Sequence, residues 1–204
     1  MDYIDYRSYF DDFDVSILTR KEYHEYRKKY RFLTLIGRYL NSCILEFNRI
    51  DDWAGLQQNL GTRIVSGLEA SKFELVFSDF HFLLISMDKC YKYEQQLYLL
   101  FNRSDKATEL ADSSCVCSIR RMRNTLEHSE ENINTDSRND FYELPNEFLQ
   151  TGWSWLEYQM LSFCNGVFRL KNLTLTFSND MFDHIIDHYK ILIDIFYQEV
   201  SNLT

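Results

Sequence analysis

From about residue 19 onward, apolar side chains return at three-, four- and seven-residue steps, and Tyr26, Tyr30, Leu33, Leu40, Ile44 and Phe47 fall on one stripe. That period belongs to an α-helix with one face in a core. It predicts a long first helix ending near Asp51–Asp52, then a shorter helix from Trp53 interrupted at Gly61 and Gly67. A second strong segment runs from Ser71, a residue suited to capping a helix, to about Phe101. Its stripe is Val76, Phe80, Leu83, Leu84, Met87, Cys90, Tyr91 and Leu97. A third begins near Asp105, continues through Leu110, Cys117, Met122 and Leu126, and fades at Glu130, Glu131 and Asn132. A polar loop follows to about Asn139, and Pro145 stands beyond it, where a helix does not continue.

Residues 153–177 have a different pattern. Asn165-Gly166 lies between two runs rich in aromatic and β-branched residues, a strong hairpin signal. Leu173, Leu175 and Phe177 alternate with polar neighbours, as on a half-buried strand. A final helix is expected after Ser178 or Asn179, with Phe182, Ile185, Ile186, Tyr189, Ile193, Phe196 and Val200 on one face. The fold class expected is therefore mainly α, an antiparallel helical bundle with a β-hairpin inserted before the C-terminal helix. Residues 1–16 form an acidic, aromatic arm, either loose or docked on the body. Residues 17–204 form a single domain that includes the hairpin at about 153–177.

Composition narrows the class further. One Pro and six Gly in 204 residues, with 16% aromatic positions, exclude collagen-like, linker-like and mainly disordered chains. The formal net charge is −9, from 22 Lys+Arg against 31 Asp+Glu, so there is no general attraction to nucleic acid or anionic membrane. Any phosphate binding must rest on a local patch. Two basic clusters qualify: Arg20, Lys21, Arg27, Lys28, Lys29 and Arg31 against only Glu22 and Glu25, and the tight group Arg120, Arg121 and Arg123. The alternative for both is a solvated helix face. No basic, apolar leader opens the chain, and the most apolar interior stretch, Phe80 to Met87, is far too short to span a bilayer. Five scattered cysteines suggest reduced thiols, so the expected location is cytoplasmic, with no membrane partner. Cys115-x-Cys117 lacks the further ligands that a metal site needs, so no metal is expected.

One run carries chemistry: Arg120-Arg121-Met122-Arg123-Asn124-Thr125-Leu126-Glu127-His128, followed by Ser129 and two acids. Five residues apart on a helix, Arg123 and His128 lie about 140° apart around the axis, a gap that arginine's length can close. Asn124 and His128 share a face, so the amide could fix which imidazole nitrogen carries the proton. Arg123 and Glu127 are also four apart and could simply pair.

The stretch Arg123-Asn124-x3-His128 resembles the R-[polar]-x3-H motif of the HEPN superfamily of small helical domains, and helices from about residue 19 to 132 would form the shared part. The resemblance implies an endoribonuclease of toxin or phage-defence type that uses no metal and no cofactor. Arg123 would hold the scissile phosphate, His128 would move protons and Asn124 would orient His128, with Arg120 and Arg121 as further substrate-binding residues. It also implies a homodimer, since one histidine must otherwise serve as both acid and base, and an antitoxin or nucleotidyltransferase as a possible partner. Some HEPN toxins carry a tyrosine two residues after the histidine that such a partner modifies; here Glu130 stands there, so that silencing mechanism does not carry over. The rival reading is a catalytically inactive HEPN-like module that binds a protein or nucleotide partner, for which the arm and the aromatic hairpin matter more than the motif.

Other residues weigh less. His184 and His188 have metal-holding spacing but fall opposite the apolar stripe of the last helix, without a third ligand. His81 lies between aromatics and suits a core or an interface. His24, among charges, is uninformative. Trp153 and Trp155 suit packing of the hairpin on the domain, with base stacking as the alternative. No P-loop, dinucleotide glycine fingerprint, G-x-S-x-G or H-E-x-x-H occurs.

Overall fold

The computed structural model describes residues 2–6, 15–60, 67–127, 162–164, 167–170, 173–176 and 179–201, and these are mainly helical. After a short 3-10 turn at Val15–Ile17, helix α1 spans Arg20–Leu60. Its start is a capping box. Thr19 Oγ1 accepts from the Glu22 amide at 3.4 Å, while Glu22 Oε2 accepts from the Thr19 amide at 2.8 Å and from its hydroxyl at 2.6 Å. These bonds hold the Glu22 carboxyl below its ordinary pKa. The helix does not stop at Asp51–Asp52 as the sequence pattern predicts. Aspartate costs only about half a kcal/mol in a helix, both residues are exposed, and buried Ile50 extends the apolar stripe to their doorstep.

Helix α2 covers Gly67–Leu100, beginning four residues before the expected cap at Ser71. It closes in a Schellman motif. Asn102 takes φ 57°, the Arg103 amide bonds the Tyr98 carbonyl at 2.9 Å, and the Asn102 amide bonds the Leu99 carbonyl at 3.1 Å. Asparagine tolerates this left-handed conformation better than other non-glycine residues. The third predicted segment is two helices, α3 at Ser104–Asp112 and α4 at Ser114–Glu127. They part at Ser113, which adopts φ −57° and ψ 131°. Asp112-Ser113-Ser114 is a run of side chains that compete for backbone bonds, a weakness an apolar stripe does not register. Three short strands, β1 (Ser162–Cys164), β2 (Val167–Leu170) and β3 (Leu173–Thr176), pair antiparallel in the order β1-β2-β3, with Cys164 opposite Val167 and Leu170 opposite Leu173. Helix α5 runs from Asn179 to Ser201.

The chain divides into two compact units. The first comprises Met1–Leu45, Ser86–Cys117 and Asn179–Thr204. Its core holds Leu33, Ile36, Leu40, Met87, Leu97, Phe182, Tyr189 and Phe196, all nearly or fully buried. Helix α5 is tied to α1 by three contacts. The Tyr26 and Phe196 rings lie 5.3 Å apart, Tyr189 Oη donates to the Leu33 carbonyl at 3.2 Å, and Lys29 pairs with Glu199. The arm docks on α1 through its first residues. Asn41 accepts from the Ile4 amide at 2.8 Å and donates to the Ile4 carbonyl at 2.9 Å, and Tyr6 lies against Gly37. The second unit comprises Glu46–Ile85 and Ser118–Ser178. Phe47, Ile50, Phe80, Leu83, Leu84, Ile119, Met122 and Leu126 are buried there. Among the described residues, no helix is long and apolar enough to cross a membrane.

Candidate functional site

Helix α4 buries Val116, Ile119, Met122 and Leu126 on one face, with Arg121 opposite that face and Arg123 on its margin, between the turns of Ile119 and Val116. Arg121 is exposed and Arg120 half-buried. Arg123 is 16% exposed at the side chain and is engaged on two sides. Its Nη2 donates to Asn124 Oδ1 at 2.5 Å, and its Nε lies 3.2 Å from Glu127 Oε2. The i,i+4 pair that the spacing allows is therefore formed. Asn124 turns its carbonyl oxygen to the guanidinium, which leaves its amide NH2 as the group available for other bonds. His128, the expected proton carrier, lies outside the described residues, as do the loop to Asn139, Pro145, Trp153 and Trp155.

The second basic cluster is organised differently from a linear count. Residues 24, 27, 28, 31, 34, 35 and 38 follow the period of α1 and line one open groove of about 610 Å³. His24, Arg27, Lys28, Arg31 and Arg38 are all exposed. Glu22 and Glu25 point elsewhere, roughly 120° or more around the axis from the middle of this face. The Arg27 guanidinium stands 5.6 Å from the Tyr23 ring centroid, and Arg38 Nε donates to Tyr6 Oη at 3.4 Å. Lys29, grouped with this cluster by sequence, faces the other way and pairs with Glu199. His24 and Arg38 are the residues that sequence reading missed. Their steps of three, four and seven from Arg27 and Arg31 were the available signal.

Among the described residues, no three His, Cys, Asp or Glu side chains gather as a metal-ligand set. Cys117 Sγ donates to the Ala111 carbonyl at 3.6 Å and Cys115 Sγ lies 4.0 Å from Tyr91 Oη, so each thiol has its own partner. Burial raises the Cys115 thiol, and the Cys90 thiol well above its usual value, which keeps both protonated and poorly nucleophilic. His81 is half-buried and stacks on Phe82. His188 is half-buried on α5, and the side chain of its companion His184 lies outside the described set. Compared with protein-family models, curated proteins and solved structures, the chain gives no match.

Proposed function

We propose that this chain is a HEPN-like, metal-independent endoribonuclease of the toxin or phage-defence type, acting in the cytoplasm as a homodimer. The observation that carries the reading is the run Arg123-Asn124-x3-His128 at the carboxyl end of α4, with the first two side chains already hydrogen-bonded to each other. Cleavage by the ribose 2′-OH needs a proton acceptor at that hydroxyl, a donor at the departing 5′-oxygen, and positive charge for the phosphorane. Imidazole exchanges protons near neutral pH, and two copies of His128 in a shared cleft would divide the acid and base roles. Arg123 supplies a permanent planar cation that grips phosphate through paired bonds. Its pair with Glu127 must open for phosphate to be gripped, and because the Arg123 side chain is only 16% exposed the incoming phosphate has to replace the carboxylate as its partner. Asn124, with its oxygen on Arg123, would donate its NH2 to an imidazole nitrogen and so fix the tautomer. Arg120 and Arg121 extend the positive surface towards neighbouring phosphates. The acids Glu127, Glu130 and Glu131, close by in sequence, oppose them, so the reading rests chiefly on Arg123.

The Arg123–Glu127 contact supports a second reading, a catalytically inactive HEPN-like module that binds a protein or nucleotide partner, because the guanidinium already has a carboxylate. Purified protein incubated with mixed RNA separates the two. The nuclease reading expects fragments ending in 2′,3′-cyclic phosphate and at least a hundredfold loss of cleavage in His128→Ala, the usual scale of acid–base assistance. Undiminished cleavage by that variant removes His128 from the mechanism, and absence of cleavage by the unaltered chain leaves the binding module.

A further inference from the structure

We propose that the groove along α1 is a binding site for the backbone of single-stranded nucleic acid. Four cations, Arg27, Lys28, Arg31 and Arg38, and the His24 imidazole are exposed on one face of the helix and line the groove together. The structure gives none of the five a carboxylate among the described residues. In a chain of net charge −9 this is an arrangement that folding alone does not explain. Cations at three- and four-residue spacing repel, and each such pair costs a few tenths of a kcal/mol that no described carboxylate on this face returns. A polyanion would return it.

Shape narrows the ligand. From residue 27 to residue 38 the cations extend over about 17 Å of helix at 1.5 Å per residue. They form a row, whereas a site for one phosphate or a nucleotide needs donors that converge on one point. A row fits a chain of phosphates. An acidic protein partner would be expected to meet buried aromatic or aliphatic anchors. The groove offers only the half-buried Leu35 as an aliphatic residue. An anionic membrane would require apolar side chains beside the cations to enter the lipid, and this face exposes none among its lining residues. Protein–nucleic acid interfaces, by contrast, are polar and strongly positive. Single strands are favoured over duplex by the aromatic ring of Tyr30, which lines the groove, while the Tyr23 ring adjoins it under the Arg27 guanidinium. Unpaired bases stack on such rings, and duplex bases do not. Three of the four cations are arginines, which bind phosphate through two parallel bonds.

The site lies in the first unit and does not rest on cleavage at His128, which belongs to the second. Binding is measured by fluorescence anisotropy in the His128→Ala chain, so that cleavage cannot confuse the readout. The probes are labelled oligouridine and oligothymidine of about ten nucleotides, a duplex of equal length, polyglutamate, and vesicles containing phosphatidylserine. The expected result is binding of both single strands, with log Kd against log salt giving a slope of about 3 for the four permanent cations. Arg27→Glu/Lys28→Glu/Arg31→Glu should weaken binding more than tenfold with the circular dichroism spectrum unchanged. Should that charge reversal disturb folding, the milder Arg27→Gln/Arg31→Gln should reduce the slope by about 1.4. Equal affinity in the folded variants, a slope below 1, or preference for polyglutamate, vesicles or duplex overturns the proposal. Binding in this assay without any RNA cleavage by the unaltered chain upholds the groove and removes the nuclease reading.

Discussion

Glu94 on α2 has no exposed surface, and neither carboxylate oxygen has a hydrogen-bond partner among the described residues. Burial alone pushes its carboxyl up to about 8 from the ordinary 4.5. The folded chain therefore keeps this proton at pH values where the unfolded chain has released it. Stability is fullest below about pH 4.5 and falls as pH rises towards 8, where the folded form also ionises and the loss levels off. At 1.36 kcal/mol per pK unit, the drop is on the order of 5 kcal/mol across the window. Glu94→Gln removes the titration. Urea midpoints at pH 5 and pH 8 should show the variant gaining on the unaltered chain by several kcal/mol between the two, whereas parallel shifts would refute the burial argument. The anomaly was visible in the sequence. Met87, Cys90, Tyr91 and Leu97 define a buried stripe, and position 94 is the step between 91 and 97 that a charged residue fills. Reading only the apolar members passed over it. Residue identity likewise made the Arg123–Glu127 pair legible from its spacing alone, since four residues along a helix is one turn. Asn124 bonding to Arg123 was not legible, because neighbours in sequence diverge on a helix and only side-chain rotation brings them together.

Helix α1 shows what a stripe predicts and what it leaves out. The apolar residues from Tyr26 to Phe47 are buried or half-buried along its inner side, as periodicity requires. The end of the helix and the division of α3 from α4 at Ser113 were not readable from the stripe. Both depend on small backbone preferences, tenths of a kcal/mol per residue, that tertiary packing overrides in one place and not in another. The polar side of α1 likewise does not follow from a linear count. Charges counted along the chain group Lys29 with its neighbours and omit Arg38, whereas counted around the axis they do the reverse. Gly37 marks the third lesson. A Cβ there would stand 2.7 Å from Tyr189 Oη and 2.7 Å from Tyr6 Cγ, so this glycine serves close approach of α5 and the arm to α1. Nothing in a hydrophobicity pattern distinguishes such a glycine from a weak helix position. Ordinarily Gly→Ala in a helix interior stabilises by about 0.5–1 kcal/mol. Gly37→Ala should instead destabilise by about 1–3 kcal/mol, as overpacking does. The same change should increase proteolysis within the first residues, because Tyr6 is one of the groups displaced. A higher urea midpoint in the alanine variant would show that the contact relaxes freely.

At the scale of the whole molecule, charge sets two equilibria that respond to salt in opposite directions. Each 24.6 kDa chain carries −9, so two copies repel at long range and must associate against that field. The screening length shrinks from about 30 Å at 0.01 M salt to about 8 Å at 0.15 M, which removes most of the repulsion between exposed charges. A homodimer of the kind the cleavage reading needs should therefore gain population as salt rises over this range. Sedimentation velocity should show mass moving from that of one chain towards that of two. Binding of single strands along α1 should weaken over the same interval, since it depends on counterions released from phosphate. These opposite signs separate a self-association driven by its own apolar and hydrogen-bonded contacts from one in which the acidic surface of one copy fills the basic groove of another, because the latter would dissociate as salt is added. RNA cleavage, which requires both a second copy and a bound strand, should then pass through a maximum at intermediate salt. A single-chain mass at every salt and protein concentration, with cleavage intact, would show that one copy of Arg123 and His128 suffices. Cleavage that only declines from the lowest salt would show that dimerisation is not what salt controls.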